Sequence, residues 1–220
     1  LPSEAIRFYL TETPIPGNKM KLLGDLWAEE DFRLDALRRR LFSSRAFYAA
    51  DFRGNRIKSP LEFYLGTLQR FALSPIPIPN YSSRPLRSMG QDLFEPPNVR
   101  GWIGGEAWIN AGKLSARRQF LNLLFSSLPE RRLNADDQMR LDRERNRGTE
   151  KFLVRKDSLL RLSGGSPEEV LSFIERNLLI PPIDESYREI LLNHLGPDPS
   201  VEKIRSAVLT VLQSPQYQLC

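Results

Sequence analysis

Cysteine and histidine are almost absent from this sequence of 220 residues. The single cysteine, Cys220, is the last residue, so no disulfide can form within the chain and a thiolate metal site is excluded. The single histidine, His194, would alone have to serve any histidine metal site or Ser-His-Asp triad. Its position shortly before Gly196 is typical of a helix end, where an imidazolium meets unpaired carbonyls. The sequence therefore favours a non-catalytic role for His194.

Long apolar runs and catalytic fingerprints are missing as well. No stretch approaches the ~20 apolar residues that a membrane-spanning helix needs. The sequence contains no P-loop, zinc-ligand spacing, GxSxG elbow or glycine-rich dinucleotide motif. We therefore expect no cofactor, no metal site and no membrane span. The chain opens at Leu1 without a leader, which is typical of a fragment or a processed product.

Apolar residues recur at helical spacing along nearly the whole chain, whereas alternating apolar and polar runs are rare. This pattern predicts an all-α fold, a multi-helix bundle with no substantial sheet. Two helix starts, at Ser59 and Ser166, place a capping hydroxyl, a proline and a carboxylate in the first turn. The predicted helices cover about 3–11, 19–29, 32–43, 60–73, 83–92, 113–127, 150–161, 167–178, 185–194 and 200–213.

The most distinctive segment is residues 89–110, which we call the Trp loop. Two adjacent prolines hold its backbone extended, and three glycines permit positive φ or a close backbone approach. Its two indoles supply large flat faces. We therefore expect a long ordered loop that is not helical.

The Trp loop also carries all the residues that we consider for binding a small ligand. Carboxylates beside tryptophans are common in sugar-binding clefts, where an indole stacks on the sugar ring and the acids hold hydroxyls. In the other interpretation, which we place first, the indoles are buried plugs that brace the loop and the polar residues cap nearby amides. The candidate residues for ligand binding or bracing are Trp102, Trp108, Asp92, Glu95, Glu106, Asn98 and Asn110.

The net charge is +5 and the sequence pI is about 9.5, which raises the question of nucleic acid. Residues 113–161 hold 13 Lys and Arg against 7 Asp and Glu, so the basic excess is local. Acidic residues are interspersed in this segment, which is typical of a solvated face rather than a phosphate track. We rank nucleic-acid binding last. It would depend on Arg117, Arg118, Arg131, Arg132, Arg143, Arg145 and Arg147.

The composition changes between residues 129 and 148, where few apolar residues occur. This segment is predicted to be a polar surface excursion, either a solvated helix or a mobile stretch. It would separate a larger helical unit, residues 1–128 including the Trp loop, from a smaller C-terminal helical unit, residues 149–220, packed on the first.

Three blocks resemble the C-terminal half of a bacterial domain-of-unknown-function family, number 1800. The Trp loop contains the most specific block, MGQDLFEPPNVRGW at 89–102, followed by Gly105 and the run WIN at 108–110. The other two are RIKSPLEFYLG at 56–66 and LQSPQYQ at 212–218. The runs IRFYL at 6–10 and LFSSRAF at 41–47 fit more loosely. The resemblance spans most of the chain except about 129–165.

The resemblance implies a protein that is exported and lies in the periplasm or at the cell surface. Members of that family are typically longer, with an N-terminal half that this chain lacks, and are often encoded beside a sulfatase-like or phosphatase-like partner. The implied partners are therefore another polypeptide and that N-terminal half. No catalytic residues carry over. We expect a helical module that mediates protein–protein interaction; the alternative is part of an envelope enzyme or carbohydrate-binding protein.

Overall fold

The computed structural model describes residues 1–149, 151–160, 162 and 164–220. The described residues form eleven α-helices and no β-strand; the one isolated bridge joins Ile57 and Leu219. The all-α prediction is confirmed. The helices are α1 (Pro2–Tyr9), α2 (Gly17–Ala28), α3 (Leu34–Phe42), α4 (Pro60–Arg70), α5 (Pro79–Ser88), α6 (Ala111–Leu124), α7 (Ala135–Asn146), α8 (Asp157–Leu160), α9 (Pro167–Leu178), α10 (Glu185–Leu195) and α11 (Val201–Leu212).

Both Ser-Pro helix starts form the capping boxes that the sequence predicts. The Ser59 hydroxyl accepts a hydrogen bond from the Glu62 amide, and the Glu62 carboxylate accepts one from the Ser59 amide. Ser166 and Glu169 repeat this arrangement at the start of α9. These contacts satisfy amides that have no partner within the helix, so they fix where each helix begins.

The predicted helix at 150–161 is wrong over most of its length. Its residues 150 and 161 lie outside the described residues, and only Asp157–Leu160 is helical. Before it, the chain is irregular, with Phe152 and Val154 both buried. Phe152 packs in the cluster around Ile76 and Ile78, whereas Val154 belongs to the main core. The Val154 amide donates to the Leu124 carbonyl at 2.8 Å, so the backbone bonds to its neighbours instead of to itself.

The chain divides into two compact units by its contacts. The first comprises Leu1–Ile57 together with Leu219–Cys220 and contains α1 to α3. Its core is a small cluster around Ile6, Leu10 and Leu41. The Cys220 amide donates to the Arg56 carbonyl at 2.8 Å, so the end of the chain pairs with the end of this unit's main segment.

The second unit, Lys58–Gln218, contains α4 to α11 and the Trp loop. Its main core draws on α4, α6, α9 and α11; Leu121, Leu171 and Val211 have no measurable exposure. Apolar side chains at helical spacing supply these buried faces, as their sequence pattern predicts. The unit spans the 129–148 segment because helices on both sides of that segment share one core. The predicted division into 1–128 and 149–220 therefore differs from the observed compact units.

The 129–148 segment holds α7 and a short 3-10 turn, Glu130–Arg132. Its surface is polar, but Leu141 is fully buried in a second cluster with Ile76, Ile78 and Phe152. Burial of this leucine stabilises by roughly 1.5–3 kcal/mol, and Leu133 of the same segment packs against that cluster. The segment is therefore an anchored, solvated helix.

Candidate functional site

The Trp loop begins with an anchored turn directly after α5. Met89 is fully buried, and Gly90 has a φ of +99°. A Cβ at Gly90 would lie 2.8 Å from Lys113 Cε, so both the backbone conformation and the close approach favour glycine. The next side chain, Gln91, accepts a hydrogen bond from the Leu61 amide at 3.0 Å. The loop therefore completes the capping of α4.

Two of the predicted carboxylates lie next to Arg87, which is near the end of α5. Arg87 Nε donates to Asp92 Oδ2 at 2.5 Å, and Arg87 Nη2 lies 3.7 Å from Glu95 Oε2. The hydrogen bond with Asp92 raises the pKa of the exposed Arg87 guanidinium. Both carboxylates therefore pair with Arg87, which lies just before the loop. Asp92 is less exposed to solvent than Glu95.

The tip of the Trp loop, residues 94–103, exposes apolar side chains. Phe94 is 96% exposed, Val99 is fully exposed and Ile103 is 72% exposed. Phe94 also has a φ of +66°, a conformation that costs a non-glycine residue about 1–2 kcal/mol. Between these residues Asn98 makes a tight turn: its Oδ1 accepts from the Arg100 amide at 2.9 Å. Its carbonyl accepts from the Gly101 amide at 3.0 Å.

The return limb of the Trp loop is buried again. Trp108 ends a 3-10 turn, Gly105–Trp108, and is only 6% exposed. The Lys113 ammonium lies 5.7 Å from the centroid of its ring and donates to the Ala107 carbonyl. Asn110 then caps α6, with its Oδ1 accepting from the Lys113 amide at 2.9 Å. Lys113 therefore holds the return limb at Ala107 and Trp108, and its side chain lies close to Gly90 of the first limb.

The contacts of the predicted site residues fall into separate groups. Asp92 and Glu95 share Arg87 at the first limb, whereas Trp108 and Asn110 flank Lys113 at the second. Asn98 stabilises the turn at the tip. Trp102 is half-buried and Glu106 is exposed; within the described part of the chain, neither side chain makes a hydrogen bond.

Sequence reasoning placed Arg117 among the arginines that could contact phosphate and missed its burial, which is the most unusual polar feature of the described chain. Arg117 is 1% exposed in the middle of α6, with its guanidinium 4.8 Å from the centroid of the Phe63 ring. Arg117 Nη1 donates to Gln218 Oε1 at 3.1 Å and Nη2 donates to the Lys58 carbonyl at 2.7 Å. Its Nε is buried and has no hydrogen-bond partner among the residues that the structure describes. Burial lowers the pKa of Arg117 to about 10.

A second set of contacts lies beside this buried arginine. Lys58 Nζ donates to the Tyr217 carbonyl at 2.6 Å and lies 3.9 Å from the centroid of the Tyr217 ring. The Tyr217 hydroxyl shares a 2.8 Å hydrogen bond with Thr67 Oγ1, which is also buried. We call Lys58, Thr67, Arg117, Tyr217 and Gln218 the buried polar network. The signal in the sequence was Arg117 itself, a charged residue within the apolar stripe of α6.

Residues from the three sequence blocks meet around the start of α4. Gln91 of the Trp loop bonds its first turn, while Lys58 and the 214–218 segment meet at Arg117. The structure thus joins motifs that are far apart in the sequence into one buried, hydrogen-bonded junction. It also removes Arg117 from the arginines proposed to contact phosphate, because its side chain is not accessible.

The fold and the site together define an all-α protein in which an irregular loop is locked to a helical core. Among the described residues, no cluster of three or more His, Cys, Asp or Glu side chains is arranged to hold a metal ion. No described helix combines the length and the hydropathy needed to cross a membrane.

The chain belongs to the family described as protein of unknown function, DUF1800. The family model matches residues 3–219, which is nearly the whole chain and includes the 129–165 segment that the motif blocks do not cover. Comparisons with curated proteins and with solved structures gave no match.

Proposed function

We propose that this chain is a helical interaction module and that the tip of the Trp loop contacts another polypeptide. The observation that carries the proposal is the exposure of Phe94, Val99 and Ile103 on a loop whose two limbs are fastened. Single exposed apolar side chains are ordinary, but several on one short segment are typical of a recognition surface.

The fastened limbs support this proposal energetically. Association costs conformational entropy, and a loop that is already ordered loses less of it on binding. Burial of Phe94, Val99 and Ile103 would contribute roughly 5–9 kcal/mol before the costs of association are subtracted. The strained φ of Phe94 is consistent with a side chain kept outward for a purpose other than folding.

The same proposal includes the cellular location of the module and its partners. Its family resemblance favours an exported protein of the periplasm or cell surface, with a sulfatase-like or phosphatase-like polypeptide as the partner. An N-terminal half like that of the longer family members would be a further partner. In this proposal the module has no catalytic residues of its own.

Site-specific photo-crosslinking in cells of the source organism tests the proposal. A photoreactive phenylalanine is placed at Phe94 and, in a second protein, at Met139, an apolar side chain on α7 that is 58% exposed. We expect a discrete crosslinked polypeptide from the position of Phe94 and none from that of Met139. Equal crosslinking at both positions, or none at Phe94, would contradict the proposal.

One observation favours the alternative of a carbohydrate-binding or envelope-enzyme site. Trp102 is half-buried, so part of its indole is open to a sugar ring. Burial of Trp108 leaves a single open indole in the Trp loop, which weakens this alternative. A shift of the Trp102 emission on titration with cell-wall polysaccharides, lost in Trp102→Phe, would support it. An emission that does not respond would count against it.

A further inference from the structure

An apolar cavity of about 190 Å³ lies within the second unit, at the end of α4. Helices α8, α9 and α11 complete its walls. Leu159, Ile174 and Val208 are buried residues of the lining, and Phe71 and Leu162 extend it. A cavity of this size with apolar walls gives water few partners, whereas it accommodates a benzene-sized apolar molecule.

The mouth of the cavity carries three polar side chains, Arg70, Ser158 and Asn177. The hydroxyl of Ser158 donates to the Arg155 carbonyl at 2.7 Å, and the Asn177 amide nitrogen donates to the Phe173 carbonyl at 2.7 Å. Arg70 is exposed and makes no hydrogen bond and no ion pair to any residue that the structure describes, although its charge acts on the Tyr217 hydroxyl from a distance. Its guanidinium therefore offers charged donors that are open to a ligand at this mouth.

The backbone at the mouth is held in an unusual conformation. Ala72 has a φ of +51°, directly after the last residues of α4. The Leu73 amide donates to the Leu68 carbonyl at 2.8 Å, which closes the helix end in a form where glycine is usual. Alanine in this conformation is strained, and strained residues concentrate at ligand sites.

We infer that this cavity binds a small apolar monocarboxylate, with the hydrocarbon between α9 and α11 and the carboxylate on Arg70. Arginine suits a carboxylate because its planar fork can donate two parallel hydrogen bonds. The volume of about 190 Å³ fits a chain of roughly six to eight carbons, by comparison with the benzene-sized cavity above. The inference is independent of the Trp loop.

Calorimetric titration with butanoate, hexanoate and octanoate tests the inference, with octan-1-ol as the uncharged match for octanoate. We expect affinity to rise roughly fourfold for each added CH2 until the cavity is filled. Octanoate is expected to bind about tenfold more tightly than octan-1-ol, since only the carboxylate pairs with Arg70. Equal affinity for the acid and the alcohol, or no saturable binding of octanoate, would overturn the inference.

Variants distinguish ligand binding in the cavity from non-specific binding elsewhere on the protein. Arg70→Gln should weaken octanoate about tenfold and leave octan-1-ol unchanged, whereas Arg118→Gln, at another exposed arginine without an ion pair in the described chain, should change neither. Val208→Phe fills the cavity and should abolish binding of both ligands.

Since Val208→Phe could unfold the core, NMR on the unaltered protein gives a second readout. Intermolecular NOEs from octanoate to the methyl groups of Leu159, Ile174 and Val208 are expected. NOEs confined to other residues would overturn the inference.

Discussion

Arg117 shows how a single side chain can join distant parts of a chain. A fully buried guanidinium costs free energy, and the lowering of its pKa to about 10 expresses that cost. The carbonyl of Lys58 and the side chain of Gln218 offset part of it by accepting hydrogen bonds. The arginine thus links α6 to the segments that precede α4 and follow α11.

Replacement of Arg117 by methionine keeps much of the apolar volume but removes both hydrogen bonds. We expect Arg117→Met to lower the free energy of unfolding by about 2–4 kcal/mol, because the acceptors at Lys58 and Gln218 are left buried without donors. Urea denaturation would measure the change. Arg118→Met, at the exposed neighbour, should stay within about 0.5 kcal/mol. Equal stability of the two variants would show that the hydrogen bonds of Arg117 make no net contribution to the free energy of unfolding.

Tyr64 provides a prediction about pH. Burial raises the pKa of its phenol from the model-compound value of 10.0 to about 12. The folded state therefore keeps its proton where the unfolded state loses it, so this contribution to stability is present below pH 10 and is lost between pH 10 and 12. Arg117 acts in the opposite direction above pH 10, because its pKa is lowered.

Comparison of Tyr64→Phe with the unaltered protein isolates the phenol from Arg117. The difference in unfolding free energy between the two proteins should change as the pH rises from 10 to 12, in favour of the variant. Urea denaturation at a series of pH values measures it. A difference that is independent of pH would contradict the assigned burial of this hydroxyl.

At the scale of elements, local sequence chemistry predicted most helices but not all of the chain. The capping boxes at Ser59 and Ser166 and the apolar stripes of α4, α6 and α11 could be recognised directly. Helix α7 has one buried apolar residue, Leu141, so periodicity gave little signal. The irregular stretch before α8 owes its conformation to the Leu124 carbonyl of α6 and to burial, which are tertiary effects.

The Trp loop could be predicted as ordered, but its internal geometry could not. Burial of Trp108 depends on a 3-10 turn and on Lys113 of the following helix, and Gln91 acts on α4, thirty positions earlier. Spacing in the sequence does not encode such contacts. The buried polar network escaped prediction for the same reason, since bonded members such as Lys58 and Tyr217 lie 159 positions apart.

Two glycines offer a matched test of how the Trp loop is built. Gly90→Ala should lower the free energy of unfolding by about 1–2 kcal/mol, because its φ of +99° is strained for alanine and the new methyl would meet Lys113. Gly66→Ala lies inside α4 with open space around the new methyl, so it should raise stability by about 1 kcal/mol. Thermal unfolding of both variants measures whether Gly90→Ala loses stability and Gly66→Ala gains it. A stabilised Gly90→Ala would mean that the first limb is not held as described.

At the scale of the whole molecule, the chain combines two compact units with one irregular loop that belongs to the second. Within that unit, the apolar helix faces are used for the core, whereas the tip of the Trp loop keeps its apolar side chains outside. This division of roles, with anchored limbs and an open tip, is the basis of the proposed interaction module.

Acrylamide quenching of two engineered proteins tests that division most directly. The first carries Trp27→Phe and Trp102→Phe, so that Trp108 is its only indole; the second adds Phe94→Trp. We predict blue-shifted, weakly quenched emission from the first protein and an additional red-shifted, strongly quenched component from the second, with unchanged unfolding free energy in both. If Trp108 is quenched as readily as the new indole at the position of Phe94, the limbs are not anchored and the account is wrong.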